Sequence, residues 1–303
     1  MPTRAAIAGV AAAALAACVW GCGTARSVPQ PDGPPPDAVA VADAQRARLS
    51  AIPTLAMRGT AELRWSDGAG AHVEDGDFEL VLRAPLDTSL RVTKFGERVM
   101  WAGSGGGRWW LFEPRAQPTR VTVGDIDVPG DGSGLLGLMR PGHLLATLGL
   151  RPIEAAQVRS VEWDSSAGCW RAHVDGPGGP MAVELRHASL LPVAVEWLDA
   201  DGKVRLRSDL SAFEWPGAEE SVTRPGALVP TRVVVRMFEP ASDADAVRGA
   251  HPPAARASIA LASATPTDGR ARIRDRIFDF DSLRSALKPD TVVDAGTGNT
   301  VSP

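Results

Sequence analysis

Phe78-Glu79-Leu80-Val81-Leu82-Arg83-Ala84-Pro85 sets Phe78, Leu80 and Leu82 against Asp77, Glu79, Val81 and Arg83. Successive side chains of an extended chain point to opposite faces, so this alternation predicts a strand with one face on a core and the other toward solvent. The strand covers residues 72–86. Working backward, residues 55–65 form another strand, and Ser66-Asp67-Gly68-Ala69-Gly70 turns the chain between the two, because these residue types favour turn conformations. Working forward, strands at 89–95, 98–102, 108–113 and 120–123 follow. They are linked by Gly96 and by Gly103-Ser104-Gly105-Gly106-Gly107. The pattern is an antiparallel meander.

Residues 134–150 interrupt it. Leu135, Leu136, Leu138, Met139, Leu144, Leu145 and Leu148 occur there with few charges, which predicts one or two short apolar helices broken near Pro141-Gly142. Strands then resume at 158–163, 170–174, 181–187 and 192–199. The Asp201-Gly202 hairpin turn leads into 203–215, and 228–239 and 257–262 complete the series. Before the first strand, Val39, Val41, Ala44 and Leu49 suit a short amphipathic helix over 38–49, ended by Pro53. Near the C-terminus, 274–280 reads as strand or extended chain and Asp281 as the N-cap of a helix over 282–287. Residues 288–303 are polar and read as a disordered tail. The expected fold class is mainly β: a strongly curved antiparallel sheet or unclosed barrel with a helical lid, in one domain over 38–287.

The chain of 303 residues is 44% hydrophobic and 22% charged with a net charge of -4, an ordinary globular balance. No basic block exceeds two residues, so a nucleic-acid partner is not expected. Of three cysteines, Cys18 and Cys22 lie at the N-terminus and Cys169 stands alone, which excludes a disulfide framework and a four-cysteine zinc site. Arg4 and an apolar run over 5–17 have the form of a secretory signal, too short to span a bilayer that needs about 20 residues. The run closes on Leu15-Ala16-Ala17-Cys18. Those four residues resemble the lipobox of bacterial lipoproteins, in which the cysteine thiol is lipidated and the chain is cleaved just before it. Cys22 is the alternative, but bulky Trp20 precedes it. The division is then a signal peptide at 1–17, a lipidated cysteine with a Pro-rich tether at 18–37, and the folded body. An ordinary secretory signal with incidental cysteines is the competing reading.

In the body, Met57-Arg58-Gly59-Thr60-Ala61-Glu62-Leu63, the 78–85 stretch, Leu90-Arg91-Val92, the glycine turn and Arg108-Trp109-Trp110-Leu111-Phe112-Glu113-Pro114 resemble the LolA/LolB-type lipoprotein-carrier superfamily. The resemblance covers about residues 55–240. It implies an unclosed β-barrel covered by helices around an apolar cavity for acyl chains, and a non-catalytic role. Ala84 separates Arg83 from Pro85, where carriers of this type often join an Arg-Pro pair.

The candidate ligand-binding set is Trp65, Trp101, Trp109, Leu135, Leu136, Leu138, Met139 and Arg91. Large apolar pockets with few polar groups are typical ligand sites, but the same Trp residues could equally fill the core of the sheet. Trp109 and Trp110 are adjacent on a strand and must face opposite sides. Arg91, like Arg83, could pair with an acyl-ester or phosphate head group. The glycine turn lacks the Lys-Ser/Thr ending of a phosphate loop. The five histidines show no zinc spacing, and no metal, cofactor or catalytic constellation is expected. The expected function is a cell-envelope lipoprotein, anchored by lipid and facing the periplasm, with a lean to the outer membrane. It binds acyl chains or lipoproteins. The alternative is a scaffold lipoprotein with a filled sheet that binds a protein partner.

Overall fold

The computed structural model describes residues 27–67, 70–126, 128, 140–214, 228–238, 255–266 and 275–301. The signal segment, Cys18, Cys22 and the Leu135–Met139 run lie outside these residues. Helix α1 (Ala38–Ser50) is N-capped by Asp37, whose side chain accepts from the Ala40 amide. Six strands follow: β1 (Thr54–Asp67), β2 (Gly70–Arg83), β3 (Asp87–Lys94), β4 (Glu97–Gly105), β5 (Arg108–Glu113) and β6 (Arg120–Asp125). After α2 (Pro141–Thr147) come β7 (Val158–Asp164), β8 (Cys169–Gly176), β9 (Gly179–Arg186), β10 (Pro192–Leu198), β11 (Val204–Glu214), β12 (Val229–Met237) and β13 (Ala255–Pro266). Helix α3 (Phe280–Leu287) precedes two short strands, β14 (Thr291–Asp294) and β15 (Thr300–Val301).

Among the described residues, fifteen strands form one curved, unclosed sheet in the order β15-β14-β6-β5-β4-β3-β2-β1-β13-β12-β11-β10-β9-β8-β7. The chain starts in the middle at β1 and meanders outward to β6. It then crosses through α2 to the opposite edge at β7 and meanders back until β13 pairs with β1. That antiparallel seam runs from Leu55↔Pro266 to Trp65↔Ala255, with an irregularity between Arg58 and Gly59. A Cβ at Gly59 would collide with the Ala260 carbonyl, so the close approach of the two strands requires glycine.

Alternation sorts the side chains onto two faces. Phe78, Leu80 and Leu82 enter the inner core with Leu90, Trp109, Val183, Leu185 and Val233. Helix α2 is buried along its whole length and adds Leu144 and Leu145 to that core. Pro141 occupies its first turn, where the missing N–H is no loss. The expected break at Pro141-Gly142 is therefore the start of a helix. The outer face of β4–β6 carries a second cluster, Trp101, Trp110, Phe112, Val121 and Val292, sealed by Phe280 and Leu283 of α3. Each such buried side chain contributes about 1.5–3 kcal/mol.

Three expectations at the C-terminus are corrected. Residues 275–277 form a 3-10 turn rather than a strand. The cap of α3 is Asp279, which accepts from the Asp281 amide and the Ser282 hydroxyl, so the helix begins two residues earlier than read. The tail is not disordered over 291–301: β14 adds in parallel to the edge of β6, and Asp290 accepts hydrogen bonds from the Thr119 amide (2.9 Å) and hydroxyl (2.7 Å). The Pro-rich segment also touches the body, since the Val28 amide donates to Ser165 O (2.7 Å) and Trp163 Nε1 donates to Val28 O (3.0 Å).

Candidate functional site

The inner face is not completely filled. Between the sheet and α2 lies a cavity of about 390 Å³, inside the range of roughly 300–1,000 Å³ usual for small-molecule sites. Its walls come from the two meanders and cross the seam: Met57, Ala61 and Leu63 on β1, Phe78 and Leu80 on β2, Leu90 and Val92 on β3, and Ala257, Ile259 and Leu261 on β13. Leu144 of α2 and Leu148 and Leu150 just beyond it form its roof. The polar residues Glu62, Glu74, Asp75, Lys94 and Arg115 also line it. Lys94 pairs with Glu74 and holds that carboxyl below the usual carboxylate range, and Arg115 lies 3.6 Å from Glu97. The walls can take up hydrocarbon, and the paired charges carry little net field.

The residues expected at the site separate. Trp65 shares the β1 face of Leu63, but its ring stacks on His72 at 4.9 Å rather than lining the cavity. Trp109 and Trp110 do face opposite sides, one in the inner core and one in the outer cluster. Trp109 lines a second, smaller cavity beside Arg140. Trp101 and Arg91 are register partners on β3 and β4, and both project from the outer face. Trp101 donates to Ser89 Oγ (2.9 Å), and the Arg91 guanidinium lies 5.7 Å over its ring and pairs with Glu79. The expectation that these two line the cavity is corrected: Leu90 and Val92, not Arg91, take the inward positions of β3. Arg83 is likewise engaged, with Asp87 (2.8 Å), Asp275 (2.7 Å) and the Phe278 ring.

Sequence reading missed most of the aliphatic wall, although the alternation of Phe78 and Leu80 pointed at it. Cys169 is buried, and its thiol is pushed up to about 11, first by burial and then by Glu184 and Asp164. Such a thiol is poorly suited to nucleophilic work. Among the described residues no group of His, Cys, Asp and Glu could hold a metal ion, and no helix is long and apolar enough to cross a membrane.

No protein-family model and no curated protein sequence matches the chain. Solved structures do. A LolA superfamily protein from Nitrosomonas europaea superposes with a TM-score of 0.50 at 12% identity, over 81% of this chain and 99% of that one. A DUF1329 family protein from Desulfovibrio piger gives 0.52 at 10% identity, covering 82% and 100%. A domain assigned as an outer membrane lipoprotein-sorting protein, from Vibrio parahaemolyticus, gives 0.52 at 11% identity, covering 82% and 97%. At these identities the likeness is one of fold. These superpositions make the curved, unclosed sheet a LolA-like fold.

Proposed function

We propose that this protein is a lipid-anchored component of a bacterial cell envelope that takes acyl chains, free or carried on lipoproteins, into the cavity beneath α2. The observation that carries the reading is the cavity itself, whose walls are mostly aliphatic, with a minority of charged residues. An acyl chain entering it leaves water and gains about 0.8 kcal/mol per buried CH₂. The role is binding and transfer rather than catalysis. The fold shared with the Vibrio parahaemolyticus domain, a protein assigned to outer membrane lipoprotein sorting, supports the same reading here. A permanent anchor at Cys18, with Cys22 as the alternative, suits an acceptor resident on the periplasmic side of the outer membrane better than a shuttle. Val28, the first residue described in contact with the body, lies ten residues beyond Cys18. An extended chain of that length reaches at most about 35 Å, which keeps the β7–β8 edge of the body within that distance of the lipid surface.

Titration of the purified protein with a fluorescent fatty acid, read together with native mass spectrometry, tests the reading. We expect saturable one-site binding that Ala257→Phe weakens at least about tenfold by filling the cavity, with stability unchanged or raised. A clean mass without lipid and no saturable fluorescence change would refute it and favour the scaffold alternative. Palmitate labelling tests the anchor: Cys18→Ala should abolish it and Cys22→Ala should not.

A further inference from the structure

Beside the N-terminal turn of α2 lies a second cavity of about 180 Å³, separate from the acyl site. Among the described residues it is lined by Leu86, Trp109, Ile126, Val128 and Pro177 together with Arg140, Arg151 and His143. Among the described residues, no Asp or Glu lines it. The Arg140 guanidinium lies 5.0 Å over the Trp109 ring and donates to the Val128 carbonyl (3.1 Å), a neutral acceptor. Arg151 is half-buried, and among the described residues it makes neither a hydrogen bond nor an ion pair. Asp175, which shares a neighbouring cavity with Arg151, is taken by Arg159. The Arg151 guanidinium is packed against the backbone of Gly142, in space that any Cβ there would fill. Burial holds its pKa below the ordinary guanidinium value.

A guanidinium taken partly out of water normally has an anionic partner, because its desolvation otherwise goes uncompensated. Two guanidinia around one small space, with no carboxylate among the described residues of its wall, offer the kind of donors that recognise oxyanions. We propose that this cavity is a binding site for a single phosphate-type oxyanion, held by Arg151 and Arg140. The site is independent of the acyl cavity, so either can fail without the other.

The test is thermal denaturation and calorimetric titration of the full protein with inorganic phosphate, with chloride holding ionic strength constant. Wild type should bind phosphate saturably and gain melting temperature with its concentration. Loss of one charge-assisted hydrogen-bonding group corresponds to about 10- to 100-fold in Kd, so Arg151→Met should weaken binding by that factor and Arg151→Lys by less. Without phosphate, Arg151→Met should be as stable as wild type or more so, since it removes a half-buried charge that has no partner among the described residues. That crossing of stabilities distinguishes a ligand site from a structural arginine. Dihexanoyl phosphatidic acid forms the second arm: tighter binding than inorganic phosphate assigns the site to a lipid head group, and weaker binding assigns it to the free ion. A wild type that responds to phosphate no more than to chloride, or an equal response in Arg151→Met, overturns the proposal.

Discussion

Phe95 sits at φ +54 in the two-residue turn between β3 and β4, followed by Gly96 at φ +81, and its ring is 92% exposed. Two positive φ values in a two-residue hairpin define the turn geometry that favours Asn-Gly, because a bulky side chain is strained there. The ring gains almost nothing from burial to offset that strain. Phe95→Asn should therefore stabilise the fold by about 1 kcal/mol, read as a higher urea midpoint at an unchanged slope. An equal or lower midpoint would mean that the aromatic ring stabilises the turn in some other way. Cys169 gives the pH counterpart. Its folded-state pKa is raised to about 11 from the thiol value of 9.0, so the native state keeps a proton that the unfolded chain releases. Its contribution is complete below pH 9 and is lost as pH rises through 11. The chain has no tyrosine, but buried Arg48, pushed down to about 10, titrates in the same window with the opposite sign. The Cys169 contribution is therefore read as a difference: between pH 9 and 11 stability should change less favourably with pH in wild type than in Cys169→Ser, by denaturant melts at half-unit pH steps.

At the scale of elements, most strands were legible because each carries its own alternation and its own turn chemistry. The strand β14 was not. Four residues, Thr291-Val292-Val293-Asp294, flanked by Asp290 and a glycine-containing turn, are too short to show a period. Their order comes from a partner about 170 residues away, in β6. Face assignment failed for a related reason. Alternation says that Leu90 and Arg91 part company, but a Trp suits either face, and α3, which covers Trp101 on the outside, lies some 180 residues downstream. The cavity wall was hidden because lining and filling residues share one pattern. The tail's role is testable. Val292 is buried with Phe112 and Val121 in the outer cluster, and β14 covers the edge of β6. Removing residues 288–303 should bare that edge, and an exposed strand edge templates association. We expect the truncated protein to be less stable and to self-associate with rising concentration in size-exclusion chromatography with light scattering. A stable monomer at all concentrations would show that β14 is dispensable.

At the scale of the molecule, the two meanders join along the β1–β13 seam, and the cavity straddles that seam with Met57, Ala61 and Leu63 on one side and Ala257, Ile259 and Leu261 on the other. The strands that meet there are about 200 residues apart in sequence, so their pairing is among the least local contacts in the fold and carries a large loop-closure cost. A Cβ at Gly59 would collide with the Ala260 carbonyl, so Gly59→Ala should force the two backbones apart. We expect a loss of about 2–3 kcal/mol, seen as a lowered denaturant midpoint. The cavity couples this loss to ligand. A chain that binds only the closed seam favours the folded state by RT ln(1 + [L]/Kd), about 2.7 kcal/mol at a hundred times Kd. Saturating fatty acid should therefore recover much of the midpoint lost in Gly59→Ala, and should raise wild type by a similar increment if the cavity keeps its affinity. If fatty acid stabilises wild type but leaves Gly59→Ala untouched, the substitution has opened the binding wall itself. If it stabilises neither, the cavity does not take acyl chains.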